Sequence, residues 1–218
     1  MKKISEIFQN GFNEVDFNII RTLDVNHELH YNGIINIFKY FEPNFIETDE
    51  IKSTITKLLY YFTGSSLFDG SLKKGIMLVG GLGIGKSLIF RVFKEYTGKI
   101  LRINSFQYHY SQEIVDNVNI NGVEYLEKYN HNFGTPITCY VDDIASRNEI
   151  IKYFGTEVNV MEQLLSIRYN IYIRYRKLTH ITSNKYPSDF KEIYDERVID
   201  RMKEMFNIVE LKGKSFRR

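Results

Sequence analysis

The chain contains little cysteine or proline, no tryptophan and no long hydrophobic run. Its 218 residues include one cysteine and three prolines. A single cysteine, Cys139, cannot form an internal disulfide, so we expect a buried thiol in a reducing compartment. No apolar run approaches the roughly 18 residues of a membrane-spanning helix, and the polar start of the chain does not resemble a signal peptide. These absences favour a cytoplasmic protein that does not contact a membrane.

Charge and histidine content narrow the range of partners and ligands. The formal net charge is only +2, so nucleic-acid binding requires a local basic patch and does not follow from the overall charge. The five histidines are scattered along the chain, which argues against a zinc site. The length suits one α/β domain with an appendage.

Predicted strands and helices alternate after residue 70. We expect a helical N-terminal region over residues 1–70, with its clearest helix over 44–63, and an α/β core over 71–218. The predicted strands are residues 76–79, 99–104, 137–141, 178–182 and 208–211. The predicted helices of the core cover residues 86–96, 105–133, 158–175 and 188–206. This alternation is typical of a parallel sheet with helices on both faces.

A glycine-rich loop follows the first core strand. Residues 80–87 read G-x-x-x-x-G-K-S, the pattern of a phosphate-binding P-loop. Backbone N–H groups of such a loop hold phosphates, the lysine reaches the β- and γ-phosphate oxygens, and the serine hydroxyl binds Mg²⁺. The predicted nucleotide-binding residues are Gly80, Gly81, Leu82, Gly83, Ile84, Gly85, Lys86, Ser87 and Leu88. The sequence therefore predicts that ATP and Mg²⁺ bind here.

Two carboxylates end the predicted strand at residues 137–141. The carboxyl edge of an open α/β sheet is where ligands bind. We expect Asp142 to hold Mg²⁺ together with Ser87, and Asp143 to orient or deprotonate the attacking water. Two adjacent aspartates after a strand can also be a plain loop or a helix cap.

Polar residues farther along the chain could complete a catalytic site. Asn184 ends the strand at residues 178–182, where it could hydrogen-bond the γ-phosphate and the water, although Asn is also a common turn residue. Arg197 and Arg201 lie four residues apart on one predicted helix. They could form ordinary surface ion pairs, or one of them could be an arginine finger that reaches a neighbouring subunit's γ-phosphate.

These motifs, in this order, resemble AAA+ ATPases of the bacterial helicase-loader type, the DnaC and IstB-like proteins. The resemblance covers residues 75–218, and the stretches Glu-Arg-Val-Ile-Asp-Arg-Met at 196–202 and Ser-Phe-Arg at 215–217 are its most specific parts. It implies a five-stranded sheet of order 5-1-4-3-2, with Asn184 as the sensor-1 residue and Arg197 or Arg201 as the finger. It also implies that Arg217 contacts nucleotide within its own subunit, as a sensor-2-like arginine.

Three departures from the family pattern affect these expectations. Many AAA+ proteins carry Glu where Asp143 stands, which leaves the rate of hydrolysis open. The first 70 residues do not resemble an adaptor region of the family, so they do not identify a partner protein. Residues 143–157 are longer than the usual connection after the carboxylates, and we expect a loop that could reach a neighbouring subunit or DNA.

One basic stretch could bind single-stranded DNA. Residues 164–180 interleave tyrosines with basic side chains and contain no acidic residue. The candidate DNA-binding residues are Arg168, Arg174, Arg176 and Lys177. Alternatively, the tyrosines pack in the core and the basic side chains face acidic residues of a neighbouring subunit.

The sequence therefore favours an oligomeric ATPase that loads a replicative helicase, or that acts on another DNA-processing protein in replication or transposition. The alternatives are a superfamily-3-like helicase, a nucleotide-gated binding module and a P-loop kinase. A kinase needs an arginine-bearing lid, and residues 105–133 contain no arginine.

Overall fold

The computed structural model describes residues 23–103, 106–130, 137–146 and 149–216. Arg217 therefore lies outside the described residues. Within these ranges the α-helices are α1 (His27–Phe41), α2 (Asp49–Phe62), α3 (Lys86–Glu95), α4 (Ser111–Asn121), α5 (Val160–Tyr175) and α6 (Glu196–Met205). The strands in the same ranges are β1 (Gly75–Val79), β2 (Gln107–Tyr110), β3 (Cys139–Ile144), β4 (Ile150–Tyr153), β5 (Thr156–Asn159), β6 (Thr179–Ser183) and β7 (Phe206–Glu210). A π-helix covers Tyr96–Ile100, and 3₁₀ helices cover Val123–Tyr129 and Pro187–Glu192.

Five of the strands form one parallel sheet. Its order is β2-β3-β6-β1-β7, and all neighbouring strands are parallel. When these five strands are counted along the chain, the order is 5-1-4-3-2. The predicted fold class, a P-loop α/β domain of AAA+ type, is confirmed. The remaining strands, β4 and β5, form a separate antiparallel hairpin.

An aromatic-rich core fills the space between sheet and helices. Every residue of β1 and β6 is buried, as expected for central strands covered on both faces. The ring of Phe90 on α3 stacks on Tyr140 of β3 with centroids 4.3 Å apart. His180 lies at the centre of this cluster, and its Nδ1 accepts a hydrogen bond from the backbone N–H of Ile76 at 3.0 Å. The core is thus continuous from the sheet to the helix that follows the phosphate loop.

Helices α1 and α2 pack against this same core. The Thr48 side chain caps α2 by accepting from Ile51 N, so the helix predicted over 44–63 begins at Asp49. Phe62 of α2 stacks on Phe93 of α3 at 5.1 Å. The Arg91 guanidinium lies 4.2 Å above the Phe41 ring at the end of α1. The two helices therefore share buried surface with α3, and the domain boundary at residue 70 stays a prediction.

The strand predicted over residues 99–104 is wrong. The helix does not stop at Gly98, because a π-helical turn carries it on to Ile100. A Lys99–Glu95 ion pair and a Thr97 hydroxyl bonded to Phe93 O hold that turn. The second strand of the sheet is instead β2, within the segment predicted to be helical over 105–133. It is an edge strand with little buried surface, so it lacks the apolar run that marks the other strands.

The loop expected over residues 143–157 is largely a hairpin. Strands β4 and β5 pair in register from Ile150 with Asn159 to Tyr153 with Thr156. Phe154 and Gly155 form its two-residue turn, both with positive φ, as such turns require. The Phe154 ring at the tip is almost fully exposed.

Candidate functional site

A cleft lies at the carboxyl ends of β1, β3 and β6. Its volume is about 510 Å³. The lining residues are Leu82, Gly83, Ile84, Gly85, Lys86, Ser87, Leu88, Tyr110, Ser111, Gln112, Asp142, Asp143, Ser146, Thr182 and Asn184. The structure thus brings together most of the predicted phosphate loop, both predicted carboxylates and Asn184 around a single cavity.

The phosphate loop depends on glycine at two positions in particular. Gly80 has φ of 153°, and a Cβ there would lie 2.3 Å from Leu211 O. Gly85 adopts a left-handed conformation with φ of 98° at the start of α3. Side chains are disfavoured in both conformations, and the loop can therefore curl tightly before α3 begins. The backbone N–H groups at the start of this helix are suited to anion binding.

Lys86 is buried and bridges the loop to the end of β6. Its Nζ donates to Gly80 O at 2.7 Å, to Gly81 O at 2.6 Å and to Asn184 Oδ1 at 2.6 Å. Asn184 Nδ2 in turn donates to Asp143 Oδ1. The lysine, the amide and the second carboxylate therefore form one hydrogen-bonded chain along the wall of the cleft.

The first carboxylate is paired with the loop serine. Ser87 Oγ donates to Asp142 Oδ1 at 2.9 Å. Tyr140 and Thr182 also donate to this oxygen through their hydroxyls, which fixes the orientation of the buried carboxylate. A serine hydroxyl and a carboxylate are hard oxygen ligands of the kind that Mg²⁺ prefers, so the residues present fit this ion.

A β-bulge lets both aspartates line the cleft. Val141 pairs with Ile181 and Ile144 pairs with Ser183, so two residues of β3 lie opposite Thr182 alone. Successive strand residues normally point to opposite faces, but a bulge changes this direction locally. Asp143 is the bulged residue in the left-handed region, with φ of 59°.

Two residues that hold Asp143 were missed in the sequence. Thr182 Oγ1 accepts from Asp143 N at 2.8 Å and donates to Asp142 Oδ1 at 2.6 Å. Ser111 Oγ donates to Asp143 O at 2.8 Å from the start of α4. Thr182 immediately precedes Ser183 and Asn184 at the end of a strand, so its position was a usable signal. Ser111 gave none, because α4 was not separated from β2 in the prediction.

The two arginines of α6 lie away from the cleft lining and differ in their surroundings. Arg201 donates to Ser166 Oγ at 3.3 Å, and its guanidinium lies 5.0 Å from the centre of the Tyr169 ring. Arg197 is exposed to solvent. From its place deeper in the stretch 196–202, Arg201 is predicted to be at least as important a finger as Arg197. The contacts to α5 favour Arg197 instead, because Arg201 is held within its own chain.

The structure contradicts the proposed DNA contact of Arg168. This side chain is 1% exposed. It donates to Ile137 O at 2.9 Å, to Leu178 O at 3.2 Å and to Tyr129 O at 3.4 Å, as well as to Thr179 Oγ1 at 2.9 Å. A buried guanidinium that is bonded to these groups cannot reach the phosphate backbone of DNA. Burial lowers the pKa of the Arg168 guanidinium.

The other basic residues of this stretch remain accessible. Arg174 and Arg176 are exposed and Lys177 is half-buried, near the start of β6. Tyr172 is buried, so it is not available as a stacking platform. Because β6 runs towards Asn184, these residues lie at the edge of the sheet opposite the cleft.

The described part of the chain has neither a cluster of metal-binding side chains nor a membrane-spanning helix. No group of three or more His, Cys, Asp or Glu side chains in this part of the chain is arranged to hold a metal ion. None of the described helices is long and apolar enough to cross a membrane.

Comparisons with known proteins support the fold. No protein-family model matches the chain, and no curated protein is significantly similar to it. A solved structure described as a primosome component from Streptococcus pyogenes serotype M3 aligns with a TM-score of 0.57 and 17% identity, over 79% of this chain and 85% of that one. The DnaC helicase loader aligns with a TM-score of 0.54 and 15% identity, over 78% and 95%.

A replication initiator gives a similar result. AMPPCP-bound DnaA from Aquifex aeolicus aligns with a TM-score of 0.52 and 16% identity, over 81% of this chain and 51% of that one. At such identities the likeness concerns the fold. The chain therefore shares the fold of these structures, a P-loop α/β domain of AAA+ type.

Proposed function

We propose that this protein binds and hydrolyses ATP with Mg²⁺. The observation that carries the proposal is the pair of contacts across one cleft, Ser87 with Asp142 and Lys86 through Asn184 with Asp143. A glycine loop alone could be a turn with a surface lysine. Here the lysine is buried and both carboxylates line the same cleft, an arrangement that a structural turn does not require.

Each residue has a defined part in this proposal. Lys86 exchanges its loop carbonyls for the β- and γ-phosphate oxygens. Ser87 and Asp142 would hold Mg²⁺, which supplies positive charge to the phosphates when it is bound. Asp143 accepts a proton from the attacking water or orients it, and Asn184 fixes the position of that carboxylate while its amide contacts the γ-phosphate.

The proposal includes assembly into a homo-oligomer. Neither Arg197 nor Arg201 lines the cleft of its own chain, and both lie on α6, whose buried residues include Val198 and Met202. The exposed Arg197 could therefore reach the γ-phosphate of a neighbouring subunit. Arg217, by its place in the motif, would contact nucleotide within its own subunit.

We further propose a role in DNA replication, as a helicase loader or a related ATPase. Supporting this, the similar structures include a helicase loader and a replication initiator. A replicative helicase or another DNA-processing protein would be the partner, and Arg174, Arg176 and Lys177 are the residues available for single-stranded DNA. A superfamily-3-like helicase and a nucleotide-gated module remain alternatives. A kinase would need an arginine-bearing lid, and the sequence of residues 105–133 contains no arginine, which argues against a kinase.

Nucleotide titration tests the proposal. Lys86→Ala should abolish binding of a fluorescent ATP analogue, because the charge that meets the phosphates is lost, while the thermal unfolding transition is retained. Lys94→Ala provides the control, since it removes a lysine from the last turn of the same helix. Unchanged affinity in Lys86→Ala would contradict the proposed site. Measuring the mass with and without ATP and single-stranded DNA then separates an assembling loader from a monomeric switch.

A further inference from the structure

The segment that follows the carboxylates has an unfavourable backbone. Asp143 and Ala145 both adopt positive φ, of 59° and 60°. Residues with a side chain rarely adopt this conformation, and it persists only where the surroundings enforce it. Ser146, at the end of the segment, lines the cleft. The groups that enforce this backbone therefore also shape the proposed hydrolytic site.

Side chains from outside the segment bind its backbone. Tyr194 Oη accepts from Ala145 N at 2.9 Å and donates to Glu149 Oε2 at 2.7 Å. The other oxygen, Glu149 Oε1, accepts from Ser146 N at 3.2 Å. Two consecutive backbone N–H groups are thus held by a phenol and a carboxylate that are bonded to each other.

Tyr194 also belongs to the turn that precedes α6. Asp195 follows it and caps this helix by accepting from Arg197 N at 2.8 Å. The backbone N–H of Asp195 donates to Glu162 Oε1 at 2.7 Å, which fixes the turn to α5. The contact between Tyr194 and Ala145 therefore joins the cleft to the helix that carries Arg197.

The Glu149 carboxyl is an unusual group to bury. It is 2% exposed, and within the described ranges no basic side chain forms an ion pair with it. Burial raises its pKa to about 7, although its hydrogen bonds from Tyr194, Ser146 and Ala145 act in the opposite direction. The Asp143 carboxylate raises the pKa further. An apolar side chain at position 149 would avoid the free-energy cost of burying a carboxyl group, so we attribute the role of Glu149 to the groups that it binds.

We propose that Glu149 and Tyr194 are positioning residues for ATP hydrolysis, which hold Ala145 and Ser146 so that Asp143 stays beside Asn184. This inference rests on the proposed function. Neither Glu149 nor Tyr194 lines the cleft. The two residues therefore affect the rate of the chemical step. Through the turn at Tyr194 they also connect the cleft to α6, the helix that carries Arg197.

Two conservative variants test this proposal. Tyr194→Phe and Glu149→Gln remove the hydroxyl and the charge while preserving size. We expect kcat to fall about tenfold, equivalent to about 1.4 kcal/mol, with the affinity for a fluorescent ATP analogue unchanged. Tyr61→Phe is the matched control, because it removes another buried hydroxyl, bonded to Lys74 O at 2.7 Å before β1. Its kcat should equal that of wild type.

A pH profile separates positioning from a general loss of stability. The ionised Glu149 accepts both hydrogen bonds, so wild-type kcat should rise with pH through about 7. Glu149→Gln should lose this rise, because an amide does not titrate. The titratable groups that act on Glu149 are those of Tyr194 and Asp143. The phenol of Tyr194 stays protonated over this pH range, because burial and the Glu149 carboxylate raise its pKa.

The outcomes distinguish the two proposals. If wild type hydrolyses ATP in a Lys86-dependent way and Glu149→Gln keeps wild-type kcat and pH profile, the positioning role is overturned and the ATPase stands. If wild type neither binds nor hydrolyses ATP, the proposed function fails and the positioning role fails with it. If Tyr194→Phe does not fold, as judged by its thermal transition, the result with Glu149→Gln decides alone.

Discussion

Replacing Arg168 tests directly whether this residue supports the fold or binds DNA. In Arg168→Ala, Ile137 O and Tyr129 O lose their guanidinium donor, whereas Leu178 O keeps a bond from Cys139 N at 3.2 Å. Each buried carbonyl left without a donor costs about 1–3 kcal/mol. Removing a desolvated charge offsets part of this loss. We therefore expect the free energy of unfolding to fall by about 3 kcal/mol.

Urea denaturation measures this change. With an m value of about 2–3 kcal/mol/M, typical of small domains, the midpoint should fall by about 1–1.5 M urea. Arg168→Lys should restore little of the loss, because an ammonium cannot span the same acceptors with a planar fork.

Arg174→Ala is the matched control on the same helix. Its side chain is exposed, so its unfolding free energy should stay within about 0.5 kcal/mol of wild type. The DNA hypothesis makes the reverse prediction for Arg168→Ala, namely wild-type stability and weaker binding to single-stranded DNA. An unchanged urea midpoint in Arg168→Ala would refute our reasoning about its contacts.

Three further predictions follow from the cleft and the core. If Arg197 acts in a neighbouring subunit, specific ATPase activity should rise with protein concentration, and mixing Arg197→Ala with Lys86→Ala should restore activity. Arg197→Ala should lower kcat by up to about 10³-fold, and by more than Arg201→Ala does. Specific activity that stays constant on dilution, together with no rescue in the mixture, would contradict assembly. Asp143→Asn should bind ATP but hydrolyse it slowly, whereas Asp142→Asn should weaken Mg²⁺-dependent binding; normal hydrolysis by both in a phosphate-release assay would count against this site. Burial lowers the pKa of His180 from 6.5 to about 3, so the unfolded state takes up a proton that the folded state refuses, and this residue alone should lower stability by about 2 kcal/mol from neutral pH to pH 5, while His109 acts in the same direction and Glu149 in the opposite one. In pH-resolved thermal unfolding, the stability of His180→Asn, whose amide oxygen can accept from Ile76 N, should therefore change by about 2 kcal/mol in the stabilising direction relative to wild type over this range, and an acid dependence equal to that of wild type would contradict this reasoning.

The parts of this protein that sequence predicted well are those in which local pattern and structure coincide. The phosphate loop is one continuous motif between a buried strand and a helix, so its conformation follows from neighbouring residues. The order of the five strands followed from the resemblance. Asp142, Asp143 and Asn184 each end an apolar strand, and parallel strands bring such ends to one edge of the sheet.

Other parts depend on contacts between distant residues. The strand β2 is mostly accessible, so its apolar pattern is weak, while the aromatic residues before it favoured a helix. Arg168 lies on a helix rich in tyrosine and arginine, which looks like a binding face until the carbonyls of three separate segments meet its guanidinium. Ser111 and Glu149 hold backbone groups near the end of β3, and such contacts leave no pattern in a sequence.

The packing of α1 and α2 on α3 bears on how this protein could be dissected. A fragment starting at residue 71 would uncover Phe93, whose ring stacks on Phe62 of α2. It would also lose the hydrogen bond between His30 and the Tyr96 hydroxyl, at 2.9 Å. The helix so exposed is the one that begins at Lys86. Such a fragment would therefore expose an apolar face that favours aggregation, and the helix that follows its phosphate loop would be less well supported. If the fragment failed to bind nucleotide, that result would not apply to the intact chain.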